Sequence, residues 1–266
     1  MSTDIKKIKS FSQSMRKTIL KMALSAGSVS SHFGGALSIV DIISVLFNQY
    51  IDFNKDKFIL SKGHACLAYY SALFLKGKIS EDQLETFEKD NSILPGHPVK
   101  HPEIGINFSN GSLGMGLSIS VGIGIAFKKK SLKNKIYTII GDGECNEGSI
   151  WEAAMSANKF ELDNLNVIVD RNNFQQTGSS KDILDLGNLK SKWSSFNWEV
   201  NEIDGHNLEE LVNYFKSSIS NKKPKVLIAN TIKGKGFSFA ENNNEWHHKI
   251  MSKNTFEQAL KEIDDN

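Results

Sequence analysis

Apolar residues along the chain form runs that match strands and spaced patterns that match helices. Two largely apolar runs, Ile136–Ile140 and Leu165–Val169, enclose a helix-like segment from Gly148 to Phe160. Each run has the length of a buried strand, and each gives way at once to glycine or polar residues. The pattern predicts a βαβ unit with two parallel strands joined by a right-handed crossover.

The same criteria predict further elements on both sides of this unit. The first helix is amphipathic, because apolar residues recur at three- and four-residue intervals from Ile5 to Ala23, and it should end near Gly27. Ser80 and Gln83 have the spacing of a capping box, which marks the start of a short helix. The other predicted helices are Ser38–Tyr50, Ala65–Leu75, Ser80–Lys89, Leu117–Lys129 and Leu208–Ser218, and the other predicted strands are Phe58–Leu60, Trp198–Ile203 and Lys225–Ala229.

This alternation of strands and helices predicts an α/β fold, with a parallel sheet flanked by helices on both faces. The chain has 266 residues, enough to bury a substantial core, and we expect a single domain over 1–266, with two small domains as the alternative. Its net charge of +2 excludes a dedicated nucleic-acid surface, which would need a strong basic excess.

The two central strands end beside polar residues that can bind a cation. Asp142 follows the first strand and Asn172 follows the second. Parallel strands joined in this way end at the same edge of a sheet, and neighbours lie about 4.8 Å apart, so both side chains can reach one ion. Mg²⁺ and Ca²⁺ take about six oxygen ligands, which implies a phosphate-bearing ligand as well. Gly141 and Gly143 would let that ligand approach the backbone.

Each fragment alone also has an ordinary structural interpretation. Gly141-Asp142-Gly143 can be a simple turn, and Asn172-Asn173 can be a simple loop. Their position at matching ends of one βαβ unit favours a binding site.

The GDG sequence, followed by an asparagine-rich turn about thirty residues later, is the thiamin diphosphate and metal binding motif, and here the chain resembles the transketolase family. The longer segment EGSIWEAAMSANKFELDNLNVIVDRNN is similar to the amino-terminal subunit of split transketolases. The resemblance implies a thiamin diphosphate-binding fold. It also implies that Asp142, Asn172 and the backbone carbonyl of Phe174 hold Mg²⁺ or Ca²⁺, which bridges the cofactor's diphosphate.

Four histidine motifs extend the resemblance. His32 in SSHFGGALS could by itself be a polar loop residue, but it is similar to a family histidine that binds substrate hydroxyls. His97 in LPGHP is similar to a family histidine that lines the substrate channel. His64 in SKGHA is similar to a histidine that contacts the cofactor diphosphate. His247, after KGKG, matches one that lies near both diphosphate and substrate. The resemblance thus implies catalytic roles for His32, His97 and His247, while His248 stands where split subunits often have glycine.

Two further segments enter the expected cofactor site. The glycine-rich stretch Gly111-Ser112-Leu113-Gly114 indicates a backbone that closely approaches a helix or a ligand. It is similar to the family segment that lies against thiamin diphosphate, although Met115 stands where glutamine is frequent. Glu147 matches a family glutamate that communicates between active sites. The resemblance therefore adds this loop, Gly141, Gly143 and Glu147 to the cofactor-binding residues.

The resemblance also implies a partner chain. It runs from about Ser25 to Lys249 and covers only the family's diphosphate-binding domain. We expect the pyrimidine-binding and C-terminal domains, with the glutamate that activates the cofactor, on a C-terminal subunit, and two copies of each subunit in the assembly. The implied function is transfer of a two-carbon ketol unit from a ketose phosphate to an aldose acceptor, with no turnover by this chain alone.

Sequence features favour a reducing, cytoplasmic compartment. Cys66 and Cys145 are the two cysteines, and neither belongs to a disulfide framework; Cys145 is expected to be a small buried residue. The N-terminus has no secretory pattern, and the longest apolar stretch, Leu117 to Phe127, is about half of a bilayer span.

Three other functions remain open. A deoxyxylulose-phosphate synthase-like subunit would share the cofactor but decarboxylate pyruvate, and a non-catalytic relic would bind the cofactor without turnover. A nicotinamide dehydrogenase is disfavoured, because Asn146 occupies the third glycine position of GxGxxG and Asp142 lies within the turn.

Overall fold

The computed structural model describes residues 3–217 and 222–264. The contacts between residues divide the chain into two compact units. The first unit draws on residues 1–49, 63–109 and 231–266, and the second on residues 50–62 and 110–230. The single domain expected from the sequence stays a prediction.

The second unit contains a five-stranded sheet in the order β1-β2-β3-β5-β4, in which every neighbouring pair is parallel. Its strands are β1 Lys57–Leu60, β2 Ile136–Gly141, β3 Leu165–Arg171, β4 Glu199–Asp204 and β5 Lys225–Asn230. The parallel α/β sheet and the pairing of β2 with β3 are thereby confirmed. Both strands are almost wholly buried, as is usual in parallel sheets, which explains why their sequences are largely apolar and do not alternate with polar residues.

Helices flank this sheet and occupy the first unit. They are α1 Thr3–Ser25, α2 Gly34–Leu37, α3 Val40–Val45, α4 Cys66–Leu75, α5 Glu81–Leu84, α6 Met115–Lys129, α7 Gly148–Lys159, α8 Ser180–Leu184, α9 Leu189–Ser195, α10 Leu208–Lys216 and α11 Lys253–Asp264. In the second unit, α6 packs against β1, β2 and β3, whereas α9 and α10 pack against β4. Within the described ranges, no helix has the length and apolar character needed to cross a bilayer.

The first unit is built around α1. The predicted apolar face is confirmed, since Ile8, Met15 and Ile19 are at most 1% exposed, and the helix packs against α3, α4 and α11. Arg16 on this helix forms a nearly buried ion pair with Asp41, with 2.8 Å between Nη2 and Oδ2. The helix therefore carries both the core of the unit and a fixed internal charge pair.

Several helix boundaries differ from the sequence expectation. The capping box is confirmed, because Gln83 donates its backbone N–H to Ser80 Oγ and accepts from the Ser80 N–H. The helix nevertheless ends at Leu84. It could not have continued to the predicted Lys89, because Glu88 has a φ of 57°, in the left-handed region.

Elsewhere, the predicted helix Ser38–Tyr50 is observed as α3 followed by a π-helical turn, Leu46–Tyr50. The short helix α2 precedes this segment and was not predicted. Helix α10 ends at Lys216, and the predicted end at Ser218 lies outside the described residues. Short helices α8 and α9 and the final helix α11 were not predicted.

Candidate functional site

Asp142 lies where β2 ends, at the carboxyl edge of the sheet. Its backbone N–H donates to the Asp170 carbonyl at 3.1 Å, which continues the pairing of β2 with β3. The side chain is buried, and Oδ2 accepts from the Asn173 N–H at 2.9 Å and from Ser180 Oγ at 3.1 Å, while Oδ1 accepts from the Gly143 N–H at 2.9 Å. The carboxylate is therefore held by the loop that follows β3.

Asn172 lies at the matching end of β3. It is 5% exposed, its Nδ2 donates to Asp170 Oδ2 at 2.9 Å, and its Oδ1 accepts from the Phe174 N–H at 3.0 Å. The structure therefore brings Asp142, Asn172 and Phe174 to one edge of the sheet. An amide oxygen has two lone pairs, so Asn172 Oδ1 can accept from Phe174 and still bind a cation.

Burial, followed by the nearby charge of Asp170, raises the pKa of Asp142 to about 6. A buried carboxylate beside a second acidic group is destabilised as an anion, so a bound cation would stabilise it. The described residues include no group of three or more His, Cys, Asp or Glu placed to hold a metal ion. The donors at this edge are instead one carboxylate, of Asp142, and the amide oxygen of Asn172. Such oxygen donors fit a hard cation that completes its coordination shell with oxygens of a bound ligand.

A cavity of about 360 Å³ opens beside this edge in the second unit. Asp142, Asn173 and Ser180 line it, together with the basic residues Arg171 and Lys181. The carboxylate therefore borders space that a small ligand can enter.

Sequence reasoning missed a buried ion pair at the same edge. Lys62 Nζ contacts Asp170 Oδ2, and the two side chains are 2% and 0% exposed. The signal in the sequence was Asp170 itself, an acidic residue directly after the apolar positions Val167–Val169, because a buried aspartate needs a partner of opposite charge. The sequence offers no local sign that Lys62 supplies it.

Glu144 is a second residue that the sequence analysis did not single out. It is 2% exposed, contacts Ser61 Oγ, and accepts from the backbone N–H groups of Gly114 at 2.8 Å and Gly141 at 3.1 Å. Burial raises the pKa of its carboxyl. One side chain therefore joins the end of β1, the turn after β2 and the glycine-rich loop before α6.

Protein contacts alone account for two glycines in this region. Gly114 has a φ of 84°, and a Cβ there would lie 2.4 Å from Ser149 Oγ. At Gly116, a Cβ would lie 2.4 Å from Ser61 Oγ and 2.7 Å from its Cα. A Cβ at Gly143 would lie 2.9 Å from Gln175 Cγ, whereas at Gly141 the nearest atom is 3.9 Å away. For Gly114, close approach to the protein itself thus explains the glycine that the sequence indicated. The same kind of contact explains Gly116, which was not singled out from the sequence.

The remaining expected cofactor residues of the second unit are accessible. Gly111, Ser112 and Leu113 are exposed ahead of α6, and Glu147 is exposed directly before α7.

The first unit gathers four histidines around His32. Its ring centroid lies 5.4 Å from those of His64 and His247, 5.6 Å from that of His97 and 4.4 Å from that of His248. His64 and His247 are themselves stacked at 5.5 Å. The four histidines that the resemblance singled out therefore lie together, and His248, whose role was not predicted, joins them.

Burial, followed by the charges of the neighbouring His248, His97 and Lys233, lowers the pKa of His32 to about 4. A neutral imidazole has one N–H donor and one nitrogen acceptor. At neutral pH, His32 can therefore both donate to and accept from a ligand hydroxyl.

The backbone fixes the position of His248. Ser31 and Lys249 form an isolated antiparallel bridge, with N–H to O distances of 3.3 and 3.1 Å. The Ser30 hydroxyl lies 3.0 Å from Nδ1 of His248. The bridge thus keeps this exposed ring against His32.

A parallel sheet with a buried aspartate and asparagine at the carboxyl ends of neighbouring strands defines an α/β protein that binds its ligand at that edge. The family model described as transketolase, thiamine diphosphate binding domain, matches residues 12–263. The chain therefore belongs to the transketolase family, in its thiamine diphosphate-binding part.

Relatives with separate subunits are similar over most of their length. The chain is 42% identical over 242 residues to an apulose-4-phosphate transketolase subunit of Actinobacillus succinogenes, covering 88% of each chain. It is 38% identical, with the same coverage, to 6-deoxy-6-sulfo-D-fructose transketolase subunit SqwG of a Clostridium species. The names of these relatives denote subunits and so imply partner chains.

A solved transketolase from Campylobacter jejuni superposes with a TM-score of 0.91 at 29% identity. The alignment covers 99% of this chain but 43% of that one. The fold expected from the resemblance is confirmed, and the chain corresponds to less than half of that transketolase.

Proposed function

We propose that this chain is the thiamin diphosphate-binding subunit of a transketolase that moves a two-carbon ketol unit from a ketose phosphate to an aldose acceptor. The observation that carries the proposal is the placement of buried Asp142 and Asn172 at adjacent carboxyl ends of β2 and β3. Membership of the family supports it and disfavours the nicotinamide dehydrogenase alternative.

In the second unit, Asp142, Asn172 and the carbonyl of Phe174 would hold Mg²⁺ or Ca²⁺. The raised pKa of Asp142 supports this assignment, because a cation would stabilise its ionised form. The exposed loop Gly111 to Leu113, with Gly114, Gly141, Gly143 and Glu147, would surround the diphosphate and thiamin. When bound, thiamin diphosphate supplies the electron sink for breaking and forming the carbon–carbon bond.

In the first unit, the histidines would bind ligands and move protons. His64 would contact the cofactor diphosphate. His32, His97 and His247 would orient substrate hydroxyls and assist proton transfer, which needs hydrogen-bond distances of about 2.6–3.2 Å. The neutral state of His32 at physiological pH suits a group that must both accept and donate.

Turnover would require a partner subunit with the pyrimidine-binding and C-terminal domains and the activating glutamate. Relatives whose names denote separate subunits support this partner, and we propose two copies of each subunit in a cytoplasmic assembly. The sugars named for these relatives carry a phosphate or sulfonate, which supports a donor ketose with an anionic end.

The test compares the purified chain with its complex, each supplied with thiamin diphosphate and Mg²⁺, in an assay of ketol transfer. We expect cofactor-dependent transfer by the complex and none by the chain alone. Appreciable turnover by the isolated chain would contradict the need for a partner. Pyruvate decarboxylation by the complex would favour the deoxyxylulose-phosphate synthase-like alternative, and cofactor binding without any turnover would favour the relic.

A further inference from the structure

Lys233 is a buried lysine whose amino group faces the histidine cluster of the first unit. It lies in the loop that follows β5 and is 1% exposed. Its Nζ is 2.6 Å from Oδ1 of Asn244 and 2.9 Å from Nδ1 of His247. A buried ammonium is costly unless polar groups accept its hydrogens, and these two contacts provide such acceptors.

The chemistry of the two partners determines the direction of both hydrogen bonds. A lysine ammonium has three donors and no acceptor, and the Asn244 carbonyl oxygen can only accept. With Lys233 as an ammonium, Nδ1 of His247 accepts from it and carries no proton. In the neutral imidazole the proton is then on Nε2.

The local backbone is built to hold this arrangement. Asn244 and His247 are the first and last residues of the 3₁₀ turn Asn244–His247, in which side chains three positions apart are eclipsed and face the same way. The Gly234 N–H donates to the Gly34 carbonyl at 3.0 Å. A Cβ at Gly34 would lie 3.1 Å from Lys233 Cγ, so the glycine leaves room for the lysine stem.

We propose that Lys233 is a positioning residue that holds His247 as the Nε2–H tautomer, so that this ring donates a hydrogen bond to an oxygen of the bound sugar. The lysine acts through the imidazole and needs no contact with substrate. The substrate part of this inference rests on the proposed ketol transfer, whereas the tautomer is a property of the chain itself.

The tautomer can be measured without any activity, by nitrogen NMR of the ¹⁵N-histidine-labelled subunit, with His247 assigned by comparison with His247→Gln. We expect an unprotonated Nδ1 and a protonated Nε2 in the unaltered chain. A protonated Nδ1 would overturn the proposal. Because this measurement uses no variant of Lys233, it determines the tautomer of His247 even if such a variant fails to fold.

Variants then connect the tautomer with turnover in the assembled complex. Lys233→Met removes the donor, so we expect a mixture of His247 tautomers and a kcat lower by about 100-fold, within the usual range for a misplaced proton-transfer group. Lys233→Arg keeps a cationic donor, so it should recover much of the preference for the Nε2–H tautomer and much of kcat. Lys235→Met is the matched control, because this lysine of the same loop pairs with Glu241 instead, at 3.2 Å.

The possible failures are distinguishable. A Lys233→Met complex with normal kcat would overturn the proposal, as would an altered tautomer in Lys235→Met. If the unaltered complex shows no ketol transfer while the NMR result holds, the proposed function fails and the lysine–histidine assignment stands.

Discussion

Lys62 and Asp170 form an ion pair in the second unit with 2% and 0% of their side chains exposed. Lys62 follows the end of β1, and Asp170 lies near the end of β3, so the pair reaches across the intervening strand β2. Asn172 donates to the same carboxylate oxygen at 2.9 Å. The internal charge pair thereby supports a residue that we propose as a metal ligand.

Replacing Lys62 should strongly destabilise the chain. Lys62→Met leaves the Asp170 charge buried without its cation, and breaking a buried pair in this way costs about 3–5 kcal/mol in the free energy of unfolding. Urea denaturation measures the loss. Exposed Lys133→Met is the control and should stay within about 0.5 kcal/mol of the unaltered chain. An equally small change for Lys62→Met would contradict the structural role of the pair.

Two glycines of α6 should respond oppositely to alanine. A Cβ at Gly116 would lie 2.7 Å from the Ser61 backbone, so Gly116→Ala should lower the free energy of unfolding by about 1–3 kcal/mol. A Cβ at Gly122 meets nothing within 4 Å, so Gly122→Ala should raise it by about 0.5–1 kcal/mol through better helix propensity. Thermal unfolding of both variants checks the prediction, and equal effects would contradict the tight contact at Gly116.

His32 should titrate far below an ordinary histidine. Its folded-state pKa of about 4 lies under the unfolded value of 6.5, so the unfolded chain binds more protons between these values. The contribution of His32 to stability is therefore present above about pH 6.5 and is lost as pH falls through about 4. Proton NMR titration of the His32 ring measures its midpoint directly.

Removing His248 should raise that midpoint. Burial is the main cause of the lowered pKa of His32, and His248 is the next, so His248→Asn relieves one of the groups that oppose protonation. His206→Asn is the control, because His206 belongs to the other unit and should leave the titration unchanged. If the midpoint of His32 does not move in His248→Asn, then His248 has no electrostatic effect on His32.

Neutralising Asp142 should weaken binding of the cofactor with its metal. Asp142→Asn keeps the side-chain size but removes the charge, and we expect about 100-fold weaker binding of thiamin diphosphate with Mg²⁺. Asp185→Asn, an exposed carboxylate that lines the same cavity, is the matched control. Calorimetry on the chain and on the complex measures the affinity of each variant for thiamin diphosphate with Mg²⁺. Equal affinities for the two variants would show that Asp142 is not a metal ligand.

The parts of the site that could be predicted depend on local pattern. Asp142 and Asn172 each follow an apolar run, and parallel pairing alone places the ends of those runs together. Lys62, Glu144 and Lys233 could not be found in this way, because each is identified by a contact with a residue distant in sequence. A lysine in a glycine-rich loop has the same local pattern whether it is solvated or, like Lys233, buried.

The interleaving of the two units affects the order in which the chain can fold during synthesis. Strand β1 leaves the ribosome early, but its partner β2 follows only after residues 63–109, which belong to the other unit. The sheet has all its strands once Asn230 has been made, whereas the histidine-bearing unit still awaits residues 231–266. Translation therefore supplies the complete sheet before His247 and His248 can meet His32, and a nascent chain stalled between these points would carry the proposed metal ligands without the full set of imidazoles.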